Sequence, residues 1–188
     1  MLLFLNTCAG IAVISQEAPI FQELTKVSAV VAGSMVGIAS LGNAVGRVFW
    51  AWVSDLITRR FTFLVMFIVQ VLLFWFFPTI TTASLMTIVT FIVLMCYGGG
   101  FGTMPAFTAD YFGPKNVGPI YGLMLTAWSF ASAVGPLFIA HMRETTGSYA
   151  GALHVIAVVM AISILLPVLV RPPRASVVAG GAPEKKFA

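Results

Sequence analysis

The sequence contains few charged residues and few cysteines. Only 9% of its 188 residues are Asp, Glu, Lys or Arg, whereas 60% are hydrophobic, and the mean hydropathy is +1.02. A soluble domain of this length carries more charge on its surface, so the composition indicates an integral membrane protein. Cys8 and Cys96 both lie inside hydrophobic runs, and they predict neither a disulfide framework nor a metal site.

The sequence also lacks the motifs of enzymes and of nucleic-acid-binding proteins. It contains no HExxH, no serine elbow and no Cys/His cluster, so we expect no catalytic residues, no metal and no other cofactor. The net charge of +4 comes without a basic stretch interleaved with aromatic residues, so we expect no nucleic-acid partner. The glycine-rich stretch 98–102 is not followed by the Lys-Ser/Thr pair of a phosphate-binding loop.

Six apolar stretches are long enough to cross a hydrocarbon core about 30 Å thick, which requires roughly 20 residues of helix. The ten-residue alternation of a membrane β-strand does not occur, so we predict an all-α membrane protein. The predicted spans are residues 2–20, 27–52, 61–77, 83–107, 117–140 and 150–170. Residues 171–188 are predicted to form a disordered cytoplasmic tail, because the last span is followed by Arg-Pro-Pro-Arg.

Basic residues are distributed unequally between the two ends of the predicted spans. Seven lie on the side that holds both termini, two lie on the opposite side, and the tenth, Arg47, lies inside the second span. Lys and Arg accumulate in short cytoplasmic loops. Both termini are therefore expected in the cytoplasm.

Arg47 lies deep inside a predicted membrane span. Eight residues separate it from Asp55 at the cytoplasmic boundary, which places it about 12 Å inside. A permanent charge at this depth costs several kcal/mol unless it faces the bundle interior or a water-filled path. Because the neighbouring spans carry no Asp or Glu at comparable depth, the pattern favours anion binding over a structural hydrogen-bonding role. The planar guanidinium can donate two parallel hydrogen bonds to a carboxylate.

Glu17 is the second unusual ionisable residue. It lies about one turn from the outer end of the first span, beside Gln16 and Pro19. A boundary carboxylate exposed to water is the expected interpretation, and a role in proton coupling or as an outer gate is the alternative.

Glycines predict close packing in the second span and flexibility in the fourth. A spacing of four places small residues on one helix face, where another helix can approach, and this spacing occurs in two pairs, Gly33 with Gly37 and Gly42 with Gly46. Consecutive glycines followed by a proline weaken a helix at a defined place, where it can bend or unwind. This pattern occurs at Gly98, Gly99, Gly100 and Pro105.

The loop after the second span carries a charged motif. Asp55, Arg59 and Arg60 resemble the cytoplasmic signature of the major facilitator superfamily, in which a Gly precedes the Asp by four residues and Gly-Arg-Arg or a relative of it follows. Ala51 and Thr58 stand in place of the two glycines. The resemblance implies that the charged residues pair with a neighbouring helix end and hold one conformation of a transporter. An ordinary charged loop that obeys the positive-inside bias is the alternative.

The fourth and fifth spans carry a more specific resemblance. Residues 96–107 read CYGGGFGTMPAF, residues 110–115 read DYFGPK, and the next span contains Ile120-Tyr121-Gly122, Ala127-Trp128 and Gly135-Pro136. These segments resemble the tenth helix, the following loop and the eleventh helix of the oxalate/formate antiporter family. From residue 2 to residue 170 the chain resembles the carboxyl-terminal six of that family's twelve helices. The implied fold is one six-helix half-bundle of a major facilitator transporter in a bacterial cytoplasmic (inner) membrane.

The same resemblance assigns substrate contacts to four residues. Tyr97 and Phe101 correspond to an aromatic box around a small dicarboxylate, although a packed aromatic pair is an equal alternative. Arg47 corresponds to an arginine that oxalate-transporting members pair with a lysine of the eleventh helix. Trp128 occupies that lysine position here, and the fifth span contains no lysine. Because one cation poorly balances a dianion, a monocarboxylate such as formate, or a larger 2-oxo or hydroxy acid, is favoured over oxalate.

Residues and resemblance together predict a secondary transporter and not an enzyme. It is expected to move a small carboxylate anion across the lipid bilayer by alternating access, as an anion exchanger, with proton symport left open. The implied partner is an amino-terminal six-helix half, from the same full-length chain or from a second subunit. The alternatives are a six-span accessory or scaffold protein without transport activity of its own, and a homodimer of such halves.

Overall fold

The computed structural model describes residues 1–169, and helices account for nearly all of them. The helices, in chain order, are α1 (Leu2–Thr25), α2 (Ala29–Ile57), α3 (Arg59–Phe76), α4 (Ala83–Phe112), α5 (Val117–Thr146), α6 (Ala150–Ser163) and α7 (Leu165–Leu169). Short 3-10 turns at Phe77–Thr79 and Pro114–Asn116 lie in two of the connections. Residues 1–169 contain no β-strand.

Six helical segments of the described chain are long and apolar enough to cross a membrane. They are Leu2–Thr25, Ala29–Ile57, Arg59–Thr79, Ala83–Phe112, Pro114–Thr146 and Ala150–Leu169. The predicted all-α, six-span half-bundle is confirmed. Several helices run beyond the predicted apolar runs because a helix continues through the polar residues at its ends, which a hydropathy criterion omits. Val170 and the predicted tail 171–188 lie outside the described residues.

The six spans pack in pairs around a shared apolar core. The most extensive pairs are α2 with α4, α1 with α5, and α3 with α6, and α1 also contacts α4. Much of the core comes from α3 and the turn after it, where Phe63, Phe67, Phe74 and Phe77 are fully buried. This arrangement leaves α4 in contact with four of the other spans, so α4 can position residues relative to most of the bundle.

The closest helix contact joins α2 and α4. Four glycines form this contact, and each lies against a backbone carbonyl group of the opposite helix: Gly42, Gly46, Gly98 and Gly102. A Cβ atom at Gly102 would overlap the carbonyl group of Arg47, so the contact fixes the backbone of Arg47 against α4. The prediction of close packing is confirmed for the second glycine pair of α2. Gly33 and Gly37 have no heavy atom of another part of the described bundle within 4 Å of an added Cβ, so close packing at this pair stays a prediction.

Helix α1 is kinked, whereas α4 is continuous at the glycines where the sequence predicts flexibility. Helix α4 runs without interruption through its three consecutive glycines and Pro105, which leaves their predicted role in conformational change a prediction. In α1, Gln16 has non-helical angles (φ −125°, ψ 17°), three residues before Pro19. Pro19 has no N–H group, and its ring clashes with the carbonyl group four residues earlier, so the helix bends here.

Candidate functional site

Four residues of α2, α4 and α5 meet on one face of the bundle. The Cζ atom of Arg47 lies 5.5 Å from the centroid of the Phe101 ring. The Phe101 ring packs edge-on against Tyr97, with centroids 5.3 Å apart, and against Trp128, with centroids 6.2 Å apart. Arg47 is exposed on this face, and Trp128 is 39% exposed. The structure therefore brings together the four residues that the sequence predicts as substrate contacts.

A hydrogen bond within this group orients the Tyr97 hydroxyl. The indole N–H of Trp128 donates to the hydroxyl oxygen of Tyr97 over 3.2 Å. A tyrosine hydroxyl that accepts one hydrogen bond can still donate its own proton. The Tyr97 side chain is therefore arranged to offer a neutral donor beside the cationic group of Arg47.

Arg47 carries the charge of this face. The ion pairs within residues 1–169 join Arg59 to two carboxylates and Arg143 to Glu23, and none of them involves Arg47. The face thus combines one guanidinium, one neutral hydroxyl donor and aromatic walls. Chemically, this combination suits a single planar carboxylate, which can accept two hydrogen bonds from a guanidinium fork.

A second group of charged residues lies where α2, α3 and α4 end or begin. Arg59 donates from Nε to the carboxylate of Asp110 over 3.1 Å, and its Nη1 bonds Asp55 and the Ser54 hydroxyl. We call Asp55, Arg59 and Asp110 the loop cluster. Arg60 donates instead to the backbone carbonyl of Val168 in α7. The charged motif thus contacts a neighbouring helix end, at Asp110 of α4, and its role in holding one conformation stays a prediction.

The sequence of the whole chain, residues 1–188, matches the family model of the Major Facilitator Superfamily. The chain belongs to the major facilitator superfamily. Proteins of this family are transporters rather than enzymes, and the six described spans make the chain a multi-pass membrane protein with the fold of half a major facilitator bundle.

Three relatives show how far the similarity extends. The oxalate:formate antiporter of Oxalobacter formigenes is 30% identical over 102 residues, which cover 53% of this chain and 24% of that protein. The sialic acid transporter NanX of Escherichia coli is 28% identical over 146 residues, covering 77% of this chain and 35% of NanX. Apicoplast pyruvate carrier 2 of Toxoplasma gondii is 42% identical over 48 residues, covering 26% and 7%. The chain spans about a third or less of the length of these curated relatives.

Glu17 lies in a different environment from the one that the sequence predicts. Its side chain is buried, with 3% exposure, so the expected boundary carboxylate exposed to water is wrong. Glu17 shares a helix face with Ile20 and Phe21, which are both fully buried, and this face turns inward. Within residues 1–169, its Oε1 atom has no hydrogen-bond partner. A role of Glu17 in coupling or as an outer gate stays a prediction.

Sequence reasoning does not identify two charged contacts and two buried amides of this major facilitator bundle. Asp110 lies in the family-like segment DYFGPK, but its pairing with Arg59 depends on how the start of α3 meets the end of α4. The amides of Asn6 and Gln70 are fully buried in apolar spans. Polar residues in membrane spans usually mark functional positions, so this signal was available in the sequence.

The remaining charged contact lies at the opposite end of the bundle. Arg143 of α5 donates from Nε to the carboxylate of Glu23 over 2.7 Å, and its guanidinium lies over the ring of Tyr149. The other oxygen of Glu23 accepts the backbone N–H of Tyr149 over 3.1 Å. The Tyr149 hydroxyl donates to Gln16, at the bend of α1. These contacts connect α1, α5 and the start of α6 beside the bend.

Proposed function

We propose that this chain is the substrate-binding half of a secondary transporter that moves small monocarboxylates across a membrane. Arg47 binds the carboxylate group, Tyr97 donates a further hydrogen bond, and Phe101 and Trp128 form the walls. The convergence of these four side chains, with Arg47 and Trp128 exposed and Tyr97 buried behind them, carries the proposal.

An anion accounts for Arg47 better than a structural role does. The residue lies in the second half of α2, within a membrane span, and its side chain reaches the surface of the half-bundle. At that depth a guanidinium needs water, a counter-ion or a second protein surface. The ion pairs of the described residues leave Arg47 out, so the charge is available to a ligand.

A single negative charge on the ligand matches the site. Trp128 contributes a neutral indole at the position where oxalate-transporting relatives are expected to carry a lysine. A dicarboxylate would therefore keep one charge without a partner in a poorly hydrated cavity, which is costly. The relatives named above are described as carriers of pyruvate, of oxalate and formate, and of sialic acid, all of which are carboxylic acids. Formate and small 2-oxo or hydroxy monocarboxylates are the proposed substrates.

The proposed mechanism requires a second six-helix bundle. The chain covers 24% and 35% of two full-length relatives, which leaves room for an amino-terminal half in the working transporter. The two bundles rock about the bound carboxylate, and the loop cluster with Arg60 stabilises one end state. Deformation of α4 between the end states is proposed at Gly98, Gly99, Gly100 and Pro105. We also propose that the protein lies in a bacterial inner membrane with both termini in the cytoplasm. The proposed transport mode is anion exchange.

The test is carboxylate counterflow by the transport-competent protein that contains this chain, reconstituted in proteoliposomes. Arg47→Gln should reduce counterflow of labelled formate or pyruvate at least tenfold and should abolish the thermal stabilisation that these anions cause. Arg143→Gln is the matched control, because it removes an arginine that is already paired with Glu23 at the bundle end, and it should retain counterflow. Unchanged counterflow with Arg47→Gln would overturn the proposal. Absence of any carboxylate effect in the unsubstituted protein would favour the accessory or scaffold alternative.

A further inference from the structure

Two buried amide side chains and one glycine, which belong to α1 and α3, hold Tyr97 in place. We infer that Asn6, Gly10 and Gln70 are positioning residues that set the place of the Tyr97 hydroxyl in the binding site. This inference rests on the proposed function, because Tyr97 must contact the substrate for its position to matter.

The amides connect three helices at the level of Tyr97. Gln70 of α3 donates from Nε2 to the side-chain oxygen of Asn6 over 2.8 Å. Asn6 of α1 donates in turn from Nδ2 to the backbone carbonyls of Cys96 and Tyr97 in α4, over 3.1 and 3.4 Å. Both amide side chains are fully buried. Hydrogen bonds between buried polar groups resist exchange with water, so this connection fixes the height of α4 relative to α1.

Gly100 permits this contact. A Cβ atom at position 100 would overlap the Nδ2 atom of Asn6, and it would come within 3.3 Å of the Asn6 Cγ atom. Side chains usually cover the carbonyl groups of the preceding helical turn, as the direction of Cβ atoms on a helix requires. The missing side chain at Gly100 therefore opens the backbone of Cys96 and Tyr97 to an amide from α1.

Gly10 supports the ring of the same tyrosine. It lies one turn after Asn6 on α1, and an added Cβ would lie 2.7 Å from the Cβ of Tyr97 and 2.8 Å from its Cγ. The Tyr97 ring thus packs directly on the α1 backbone. With Trp128 bonded to the hydroxyl, Tyr97 is held at its backbone, its ring and its oxygen.

Three-point support of one side chain has a consequence for binding. When a protein group that contacts the substrate is misplaced by about 1 Å, the rate of the step that depends on it can fall roughly a hundredfold. Loss of the Asn6 amide frees the α4 backbone beside Tyr97 without touching Arg47 or the aromatic walls. Such a loss should weaken substrate binding and alter the choice between substrates of different size, because the hydroxyl shifts relative to the guanidinium.

The experiment uses the transport-competent protein that contains this chain, in proteoliposomes, with formate and pyruvate as probes. Asn6→Ala should raise the apparent KM at least fivefold and change the ratio of the two KM values at least twofold. Its Vmax per folded transporter should stay within twofold. Thr90→Val is the matched control, because Thr90 is also fully buried and, within residues 1–169, its hydroxyl bonds only the carbonyl of Met86 in its own helix. Its two KM values should remain within twofold of the original.

A second pair of variants separates positioning from folding. Gly100→Ala alone should lower the amount of folded transporter, because the new methyl group overlaps the Asn6 amide. Addition of Asn6→Ala removes the overlap and should restore the folded amount, while the KM stays as high as with Asn6→Ala alone. Restoration of both the folded amount and the original KM would overturn the inference, as would an unchanged KM in Asn6→Ala. If Asn6→Ala does not fold, Gln70→Leu is measured instead. It should also raise the KM, and an unchanged KM would overturn the inference.

Arg47→Gln, measured in parallel, distinguishes failure of the positioning role from failure of the proposed function. Loss of counterflow with Arg47→Gln together with an unchanged KM in Asn6→Ala overturns the positioning role and keeps the proposed function. Normal counterflow with Arg47→Gln overturns the proposed function and, with it, the positioning role.

Discussion

The guanidinium of Arg47 lies over the ring of Phe101, with its Cζ atom 5.5 Å from the ring centroid. A cation over an aromatic face is attracted by the negative face of the ring, by about 0.5–1 kcal/mol at exposed sites and about 2 kcal/mol when desolvated. This contact holds one face of the guanidinium against α4. The N–H edge remains available to a planar ligand, so the aromatic ring positions the cation without using its hydrogen-bond donors.

Arg47→Lys should weaken carboxylate binding although it keeps the charge. A lysine ammonium is a point charge that lacks the planar fork and stacks less well on Phe101. The expected result is a KM for formate or pyruvate about tenfold higher, which corresponds to about 1.4 kcal/mol, with a smaller change in Vmax. Initial rates of uptake into proteoliposomes measure both. The matched control is Arg143→Lys, and a wild-type KM for Arg47→Lys would show that the shape of the guanidinium is not used.

The local sequence predicts part of this site and tertiary packing decides the rest. Tyr97 and Phe101 are four residues apart in one helix, so their shared face follows from the helical period. That Arg47 faces them depends on the glycine contact between α2 and α4. Only the family resemblance predicts that Arg47 shares a site with these two aromatic residues. Glu17 shows the opposite case. Its distance from the span end suggested exposure to water, but its position on the buried face of α1 determines its environment.

The hydrogen bond between Trp128 and Tyr97 should appear as coupling between two substitutions. Trp128→Phe removes the indole donor, and Tyr97→Phe removes the acceptor, so each breaks the same 3.2 Å contact. The double variant should therefore raise the KM by less than the product of the two single effects, with a coupling of about 1 kcal/mol, or roughly fivefold. A double-mutant cycle of KM values tests this expectation. Additive effects would indicate that the two residues act independently on the substrate.

Trp128→Lys should extend the substrate range toward dicarboxylates. Trp128 borders the same exposed face as Arg47, and a lysine there adds a second cation to a site that has one. The second charge lowers the free-energy cost of holding a dianion. The substitution also removes the aromatic wall that Trp128 provides for a monocarboxylate. We expect oxalate to compete with labelled formate at least tenfold better than in the original protein. Trp128→Gln adds a polar group without charge and should not produce this gain; equal gains from both variants would contradict the electrostatic explanation.

Gly46→Ala should destabilise the bundle because the new methyl group would overlap the carbonyl group of Met95 in α4. Overpacking of a tight contact costs about 1–3 kcal/mol. Gly37→Ala is the matched control in the same helix, because an added Cβ there meets no heavy atom of the described bundle within 4 Å, and alanine favours a helix by up to about 1 kcal/mol. Thermal unfolding in detergent should therefore give a lower Tm for Gly46→Ala and an equal or higher Tm for Gly37→Ala. Equal losses in both would contradict the assignment of the contact.

The glycine pattern shows why sequence spacing alone could not place this contact. Gly33 and Gly37 repeat the spacing of Gly42 and Gly46, yet only the later pair meets α4. The spacing of four identifies a face with small residues, whereas the direction of that face depends on where the partner helix crosses. The three consecutive glycines of α4 lie in an unbroken helix, and each packs against a different neighbour. In chain order these neighbours are Asn43, Trp50 and Asn6. Their packing role was not visible in the local sequence.

Asp110→Asn should affect transport rate more than stability. The Asp110 and Asp55 carboxylates are 52% and 65% exposed, and exposed ion pairs contribute only about 0–1 kcal/mol to folding, less at high salt. Alternating access, however, requires end states of similar free energy, so loss of a pair present in one state shifts the balance between them. We expect a Vmax of exchange at least twofold lower, a KM within twofold of the original, and nearly unchanged thermal unfolding. Arg59→Gln, which removes both ion pairs, should lower Vmax further. Lys115→Gln is the control at the same end of α4, since Lys115 takes part in none of the ion pairs of residues 1–169. A similar fall in the Vmax of Lys115→Gln would assign the effect to surface charge in general rather than to the loop cluster.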